Sequence, residues 1–331
     1  MEILAYGVQV DERPLLEEAF ADRHGLRCLS VFLNRDTAPL AAGYPVVSSS
    51  VNAELDAATL AVLAEGGTEL IAQRSTGFNN IDLDAAAGLG LTVARVSHYS
   101  PYAVAEHAWA LALAVNRRLT RAANRSREFD FRLDGLLGRD IHGMTVGVIG
   151  TGKIGECFAR IAAGFGTRLL GWDIAPNPAC VDLGMSYTEL PELLSNADLI
   201  SLHVPLLPTT HHLIDTAALA RMKTDAILIN SSRGGLVDSA ALVEALRAGH
   251  LSGVGLDVYE EETGVFFTDR SIQGITDDTL ARLVTFPQVL VTSHQAYFTH
   301  TAVGQIIDAT ARNIDDYANG RTNENTLVPK T

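Results

Sequence analysis

Residues 145–173 read TVGVIGTGKIGECFARIAAGFGTRLLGWD, and this stretch decides the fold. The apolar run 145–150 reads as a buried strand. Ile154, Phe158, Ile161 and Ala162 then mark one face of a helix that the glycine turn opens. The glycines fall at 150, 152 and 155. Gly150 allows the tight turn, Gly152 lets backbone approach a ligand, and Gly155 permits close helix–strand contact. In a chain with 28 glycines the spacing alone is weak. It gains its force from the strand before, the helix after, and the acid Asp173 at the end of a second strand, 18 residues beyond Gly155 (173 − 155).

A helix that starts on such a turn presents free N–H groups to a pyrophosphate, here around Lys153 and Ile154. The Asp173 carboxylate suits the 2′ and 3′ hydroxyls of a ribose, whereas a 2′-phosphate would be repelled, and Ile174 brings no compensating charge. The expected cofactor is therefore NAD and not NADP.

Outward from this unit, strand-like segments continue at 198–204, 226–232, 252–258 and 289–294. Helical patterns lie between them near 188–195, 216–222, 239–248 and 277–284. Asp238 can cap the helix at 239–248, and Gly249 stands where a terminating glycine belongs. The first hundred residues form a smaller series: strands at 2–8, 27–33, 69–75 and 92–96, a helix over 11–24 ended by Gly25, and another over 56–65. Alternating apolar strands and helices imply parallel sheets covered on both faces, an α/β protein of two doubly wound domains. Residues 99–126 read as one long helix started by Pro101, and 301–320 as another. One economical arrangement lets these two helices cross between domains. It gives a discontinuous domain of 1–100 and 299–331, and a nucleotide-binding domain of 101–298.

Composition excludes several function classes. A formal net charge of −14 opposes nucleic acid and anionic membrane surfaces, although a local cluster of arginine and backbone N–H groups can still hold a small anion. The N-terminus lacks a basic segment and a cleavage site, and the most apolar helical run, 103–115, is too short to span a bilayer. Cys28, Cys157 and Cys180 show no metal-ligand spacing and fit a reducing compartment. The expectation is a cytoplasmic protein. The pair His211-His212 invites a metal reading, but no third ligand lies nearby in sequence, so no metal is expected.

Ligands of open α/β sheets bind beyond the carboxyl ends of the strands. Reducing groups there would act on a carbonyl substrate through an anion anchor, a proton donor and a partner for that donor. Arg233, Glu262 and His294 follow the fourth, fifth and sixth strands of the nucleotide series.

These residues, with GFNNID (77–82), YSP (99–101), AEH (105–107), NSSRG (230–234), DVYE (257–260), FFTD (266–269) and HQA (294–296), resemble the D-isomer-specific 2-hydroxyacid dehydrogenases over nearly the whole chain. They are most similar to the fermentative D-lactate dehydrogenase branch. The resemblance implies a Rossmann nucleotide domain, a flavodoxin-like substrate domain and NAD-dependent reduction of a small 2-keto acid, pyruvate to D-lactate foremost. It implies that Arg233 binds the substrate carboxylate and that His294 is the acid and base. Glu262, five residues after Asp257, would pair with the imidazole, although three consecutive glutamates (260–262) leave only that spacing to choose among them. It implies further that Thr76, Gly77 and Tyr99 meet the substrate, and that Tyr297 and Phe298 wall its pocket. Val204, Pro205 and Thr210 would line the adenosine side, with Ser231, Ser232 and Asp257 reaching the nicotinamide side. A homo-oligomer is expected. Ser97-His98 and Ser75-Thr76 depart from the Pro-Ala and Cys-Ala of many relatives. A bulkier acid such as phenylpyruvate therefore stays open as substrate. So does the different class of NAD-sensing corepressor-like binding proteins, against which the full Arg–Glu–His set weighs.

Overall fold

The computed structural model describes residues 1–329. Two compact units emerge, one of Met1–Ser100 with the segment beginning at Phe298, the other Pro101–Tyr297. The first opens with β1 (Glu2–Ala5), α1 (Arg13–Phe20), β2 (Gly25–Cys28), β3 (Val46–Ser49), α2 (Ala57–Glu65), β4 (Leu70–Gln73), α3 (Leu83–Gly88) and β5 (Thr92–Ala94). The second contains α4 (Pro101–Asn116), α5 (Leu119–Arg127), β6 (Thr145–Ile149), α6 (Lys153–Gly164), β7 (Arg168–Trp172), α7 (Pro178–Asp182) and β8 (Ser186–Tyr187). It continues through α8 (Leu190–Asn196), β9 (Leu199–Leu202), α9 (Thr216–Arg221), β10 (Ile227–Asn230), α10 (Ser239–Arg247), β11 (Gly253–Leu256), α11 (Asp278–Leu283) and β12 (Val289–Val291). The first unit is completed by α12 (His300–Ala318) and β13 (Thr326–Val328).

The seven strands of the second unit are all parallel, in the order β12-β11-β10-β9-β6-β7-β8. That is the Rossmann order with one further strand, and it reverses between β6 and β9, where such sheets bind dinucleotides. The first unit runs β13-β5-β4-β3-β1-β2, whose parallel part is the flavodoxin order. Its edge strand β13 is antiparallel to β5. Both units are thus α/β. Among the described residues no helix is long and apolar enough to cross a membrane.

Local chemistry explains the elements. Asp56, Asp82, Asp215, Asp238 and Asp277 each accept backbone N–H groups at the start of a helix. Gly249, at φ +75°, follows α10 in the left-handed region. The α4 helix lies close on β11 because that strand is glycine where they meet: a Cβ at Gly255 would stand 2.9 Å from the Leu111 Cβ.

Several segments differ from the sequence reading, and three of them bear on how the units are built. The helix expected over 99–126 breaks at Arg118, which takes φ +53° and donates from Nη1 to the Ser252 carbonyl at 2.6 Å. Gly25 does not end a helix: α1 stops at Phe20, and Gly25 is the first residue of β2, whose strand ends at Cys28 and not near 33. Finally β3, absent from the reading, is a central strand with all four residues buried. Its serines look like loop, but Ser48 Oγ donates to the Ala72 carbonyl at 3.1 Å, and Arg74 Nη1 donates to Ser48 Oγ at 2.9 Å.

Candidate active site

The glycine turn of 150–155 is built by close approaches. Gly150 has φ +92°, and a Cβ there would stand 2.7 Å from the His203 carbonyl carbon. A Cβ at Gly155 would fall 1.9 Å from the Gly150 oxygen, so neither position tolerates a side chain. Gly152 is different. It is the N-cap of α6 with no side chain capping it, and nothing lies within 4 Å of where its Cβ would be. The open face at a helix start, with uncapped N–H groups, is where a pyrophosphate would sit.

Asp173 follows β7 and bends back onto this turn. Its Oδ2 accepts the Thr151 N–H at 2.6 Å and the Thr151 hydroxyl at 3.0 Å, while Oδ1 accepts the Ile174 N–H at 2.7 Å. Ile174 is fully exposed and brings no cation. Val204, Pro205 and Thr210 form the loop after β9. The Thr210 hydroxyl folds that loop by donating to the Pro205 carbonyl at 2.7 Å and accepting the Leu207 N–H at 2.8 Å. The loop is tied to the end of β10, where Ser232 Oγ donates to the Val204 carbonyl at 2.6 Å. Beside it Ser231 Oγ is buried without a hydrogen-bond partner. An orphaned hydroxyl at the carboxyl end of the sheet, an uncapped helix start and an acid at the second strand fit NAD.

Beyond β10 lies Arg233, half-buried. Its Nη1 donates to the Ser232 carbonyl at 2.6 Å, and among the described residues no carboxylate pairs with it. A guanidinium held beside a sheet edge without an acid retains its fork for an anionic ligand.

His294 Nδ1 lies 2.6 Å from Glu262 Oε1. Both side chains are largely covered, 13% and 19% exposed, which keeps the pair out of bulk solvent screening. The other Glu262 oxygen accepts the Tyr259 N–H at 3.0 Å. The three glutamates therefore separate by position: Glu262 faces His294, Glu260 pairs with His212, and Glu261 is exposed. His294 itself takes φ +52°, a left-handed conformation costly for histidine and held by its surroundings.

Those surroundings centre on Asp257, which is fully buried. Its Oδ1 accepts the Thr292 hydroxyl at 2.6 Å and the Gln295 N–H at 2.9 Å, and lies 3.3 Å from His107 Nε2. Burial raises such a carboxyl. Hydrogen bonds from His107, Thr292 and the backbone of Gln295 and Ala296 outweigh it and hold Asp257 below its ordinary value. Asp257 is thus placed to shape the histidine loop. His107 and Thr292 were not singled out in the sequence as partners of Asp257; no spacing joins positions so far apart.

In the first unit, Thr76 and Gly77 lie in a turn after β4. The Ser75 hydroxyl donates to the Gly77 carbonyl at 2.7 Å, and Arg95 Nη1 donates to the Thr76 carbonyl at 2.9 Å. The Arg95 guanidinium also covers the Phe78 ring, 4.8 Å from its centroid. Tyr99 in this unit and Tyr297 at the end of the other are half-buried.

Residues 109–296, more than half of the chain, match the family described as D-isomer specific 2-hydroxyacid dehydrogenase, NAD binding domain. The chain is 46% identical over 99% of both sequences to 2-hydroxyacid dehydrogenase homolog 1 of Schizosaccharomyces pombe. It is 43% identical to the D-lactate dehydrogenase of Escherichia coli, across 99% of this chain and 100% of that one. Among solved structures, that of the pyruvate reductase of Chlamydomonas reinhardtii superposes with a TM-score of 0.93, at 41% identity and covering 98% of each chain. With NAD as its cofactor, the chain belongs to the D-isomer-specific 2-hydroxyacid dehydrogenases.

Proposed function

We propose that this dehydrogenase reduces a small 2-keto acid, pyruvate foremost, to its D-2-hydroxy acid, with His294 as the acid. The observation that carries the reading is the 2.6 Å contact between His294 Nδ1 and Glu262 Oε1. A carboxylate on Nδ1 fixes the orientation of the ring and leaves Nε2 to serve the substrate. Arg233 holds the substrate carboxylate in its fork and draws electron density from the adjacent carbonyl. When bound, NADH supplies the hydride to the carbonyl carbon. His294 Nε2 gives its proton to the carbonyl oxygen, and in the reverse direction the neutral ring takes it back. Asp173 receives the adenosine ribose, while Ser231 and Ser232 serve the nicotinamide side. Thr76, Gly77, Tyr99 and Tyr297 are the further substrate contacts of this reading.

The relatives support the substrate class: one is a D-lactate dehydrogenase and one a pyruvate reductase. The test is steady-state turnover with NADH against pyruvate, phenylpyruvate, a branched 2-keto acid, glyoxylate and hydroxypyruvate. The highest kcat/KM is expected with pyruvate. A higher value with phenylpyruvate would move the assignment to bulkier acids, and no turnover with any would favour a cofactor-sensing role.

Self-association is part of the same proposal. Phe129, Phe131, Leu133 and Leu137 are 83%, 72%, 82% and 92% exposed on a segment without regular structure after α5. A run of that kind suits burial against a second copy. Sedimentation of the wild type and of Phe131→Ser/Leu137→Ser should show a larger particle only for the former. A monomeric wild type would refute it.

A further inference from the structure

His211 and His212 are adjacent in sequence, and adjacent residues of an extended chain send their side chains to opposite sides. Here His212 takes φ +50°, and the two imidazoles instead stack, with centroids 3.9 Å apart and planes 25° from parallel. Two features hold this turn. The His212 N–H donates to the Gly235 carbonyl at 2.8 Å, and the His211 N–H donates to the Leu207 carbonyl at 2.9 Å. A third group arrives from 48 residues away: Glu260, on the turn after β11, places Oε1 against His212 Nε2. The sequence reading found no third ligand for this pair, because nothing local announces one. The fold supplies it.

One ligand atom from each of His211, His212 and Glu260 lies within 4.8 Å of the other two. Around a tetrahedral ion with bonds of about 2 Å, ligand atoms stand roughly 3.4 Å apart. His211 is exposed, so a modest turn of its ring closes the difference. Two imidazole nitrogens and one carboxylate oxygen form a borderline-soft donor set that suits zinc and its neighbours and is poor for magnesium or calcium. An ion pair between His212 and Glu260 would explain two of the three residues. It leaves unexplained why His211 is turned to the same side.

We propose that His211, His212 and Glu260 form a binding site for a divalent transition metal of the zinc class, with three protein ligands and water completing the shell. The ion joins the loop after β9, which carries Val204, Pro205 and Thr210, to the turn after β11, which carries Glu262. A metal that binds the native chain and not the unfolded one stabilises it by mass action.

The test uses the full-length enzyme, stripped with chelator and dialysed, then titrated with zinc chloride by calorimetry; cobalt(II) serves as a spectroscopic probe. The wild type should bind one zinc ion per chain at this site, rise in Tm with zinc, and give the visible absorption of four-coordinate cobalt. His211→Ala changes an exposed side chain and should keep the metal-free Tm. It should weaken zinc binding at least about tenfold and abolish the cobalt band, as should Glu260→Gln. A wild type that takes up no zinc overturns the proposal. So does a His211→Ala variant that binds zinc as tightly and shows the same cobalt spectrum, because the ion would then lie on other side chains.

Discussion

The Asp257 carboxylate accepts the Ala296 backbone N–H at 2.8 Å, and the Asp257 carbonyl accepts the His294 N–H at 2.6 Å. One buried residue at the end of β11 thereby suspends both sides of the turn on which His294 adopts its left-handed backbone. That turn carries no glycine, so the acid supplies what glycine would otherwise provide.

Asp257→Asn should therefore cost both stability and turnover. The folded carboxyl lies below its ordinary value of 3.8, so the native state binds its proton less readily than the unfolded chain. The stability from this group is complete above the unfolded value and is lost as pH falls through the lower folded one. Chemical denaturation near neutral pH should show a loss of about 2–3 kcal/mol, from hydrogen bonds to a charged acceptor. The variant's stability should also change less steeply than the wild type's as pH falls from about 5 to 2. Equal stability at neutral pH would mean that the amide replaces the carboxylate without penalty.

Arg233→Lys keeps the charge and discards the planar fork. Losing one charge-assisted bond, about 1.5–3 kcal/mol, should lower kcat/KM for pyruvate roughly 10- to 100-fold. NADH affinity, read by fluorescence titration, should stay near wild type. Unimpaired pyruvate reduction would remove Arg233 from the substrate site.

How much of this was legible in the sequence depended on whether a signal was local. The 145–173 unit was legible because turn, helix face and acid all lie within one strand–helix–strand span. The positions of Arg233 and His294 just after β10 and β12 were legible because strand ends announce themselves by a change from apolar to polar. The strand at Val46–Ser49 was not, since its polar residues are satisfied by neighbouring strands and show no alternation. The break at Arg118 was hidden for the same reason: its partner, the Ser252 carbonyl, lies 134 residues away. Spacing alone selected Glu262 among three glutamates, whereas the separate partners of Glu260 and Glu262 exist only in the folded chain.

Asp173 should set cofactor choice. Its carboxylate also accepts two bonds from Thr151, so removing it loosens the glycine turn as well as the ribose site. Asp173→Asn, which keeps an acceptor and loses the charge, separates the two effects. KM for NADH should rise about tenfold in Asp173→Ala, and the gap between NADH and NADPH should narrow in both Asp173→Ala and Asp173→Asn. A wild type that uses NADPH as efficiently as NADH would contradict the assignment.

The most discriminating measurement concerns the proton. Reduction needs the imidazolium of His294 and oxidation needs the neutral ring. Pyruvate reduction should therefore fall as pH rises, while D-lactate oxidation should rise. Glu262→Gln removes the carboxylate 2.6 Å from Nδ1 that orients the ring, so kcat/KM should fall in both directions, with NADH affinity unchanged. His294→Gln removes the donor itself and should cost more, on the order of 10²- to 10⁴-fold in kcat. Glu261→Gln, at an exposed position, should leave kcat/KM near wild type. Glu260→Gln serves as the comparison on the opposite side, because Glu260 meets His212 and not His294. If Glu262→Gln turns over like wild type while another glutamate variant loses activity, the imidazole takes its partner elsewhere during turnover. If no glutamate variant lowers kcat/KM and His294→Gln still turns over, the proton comes from another group.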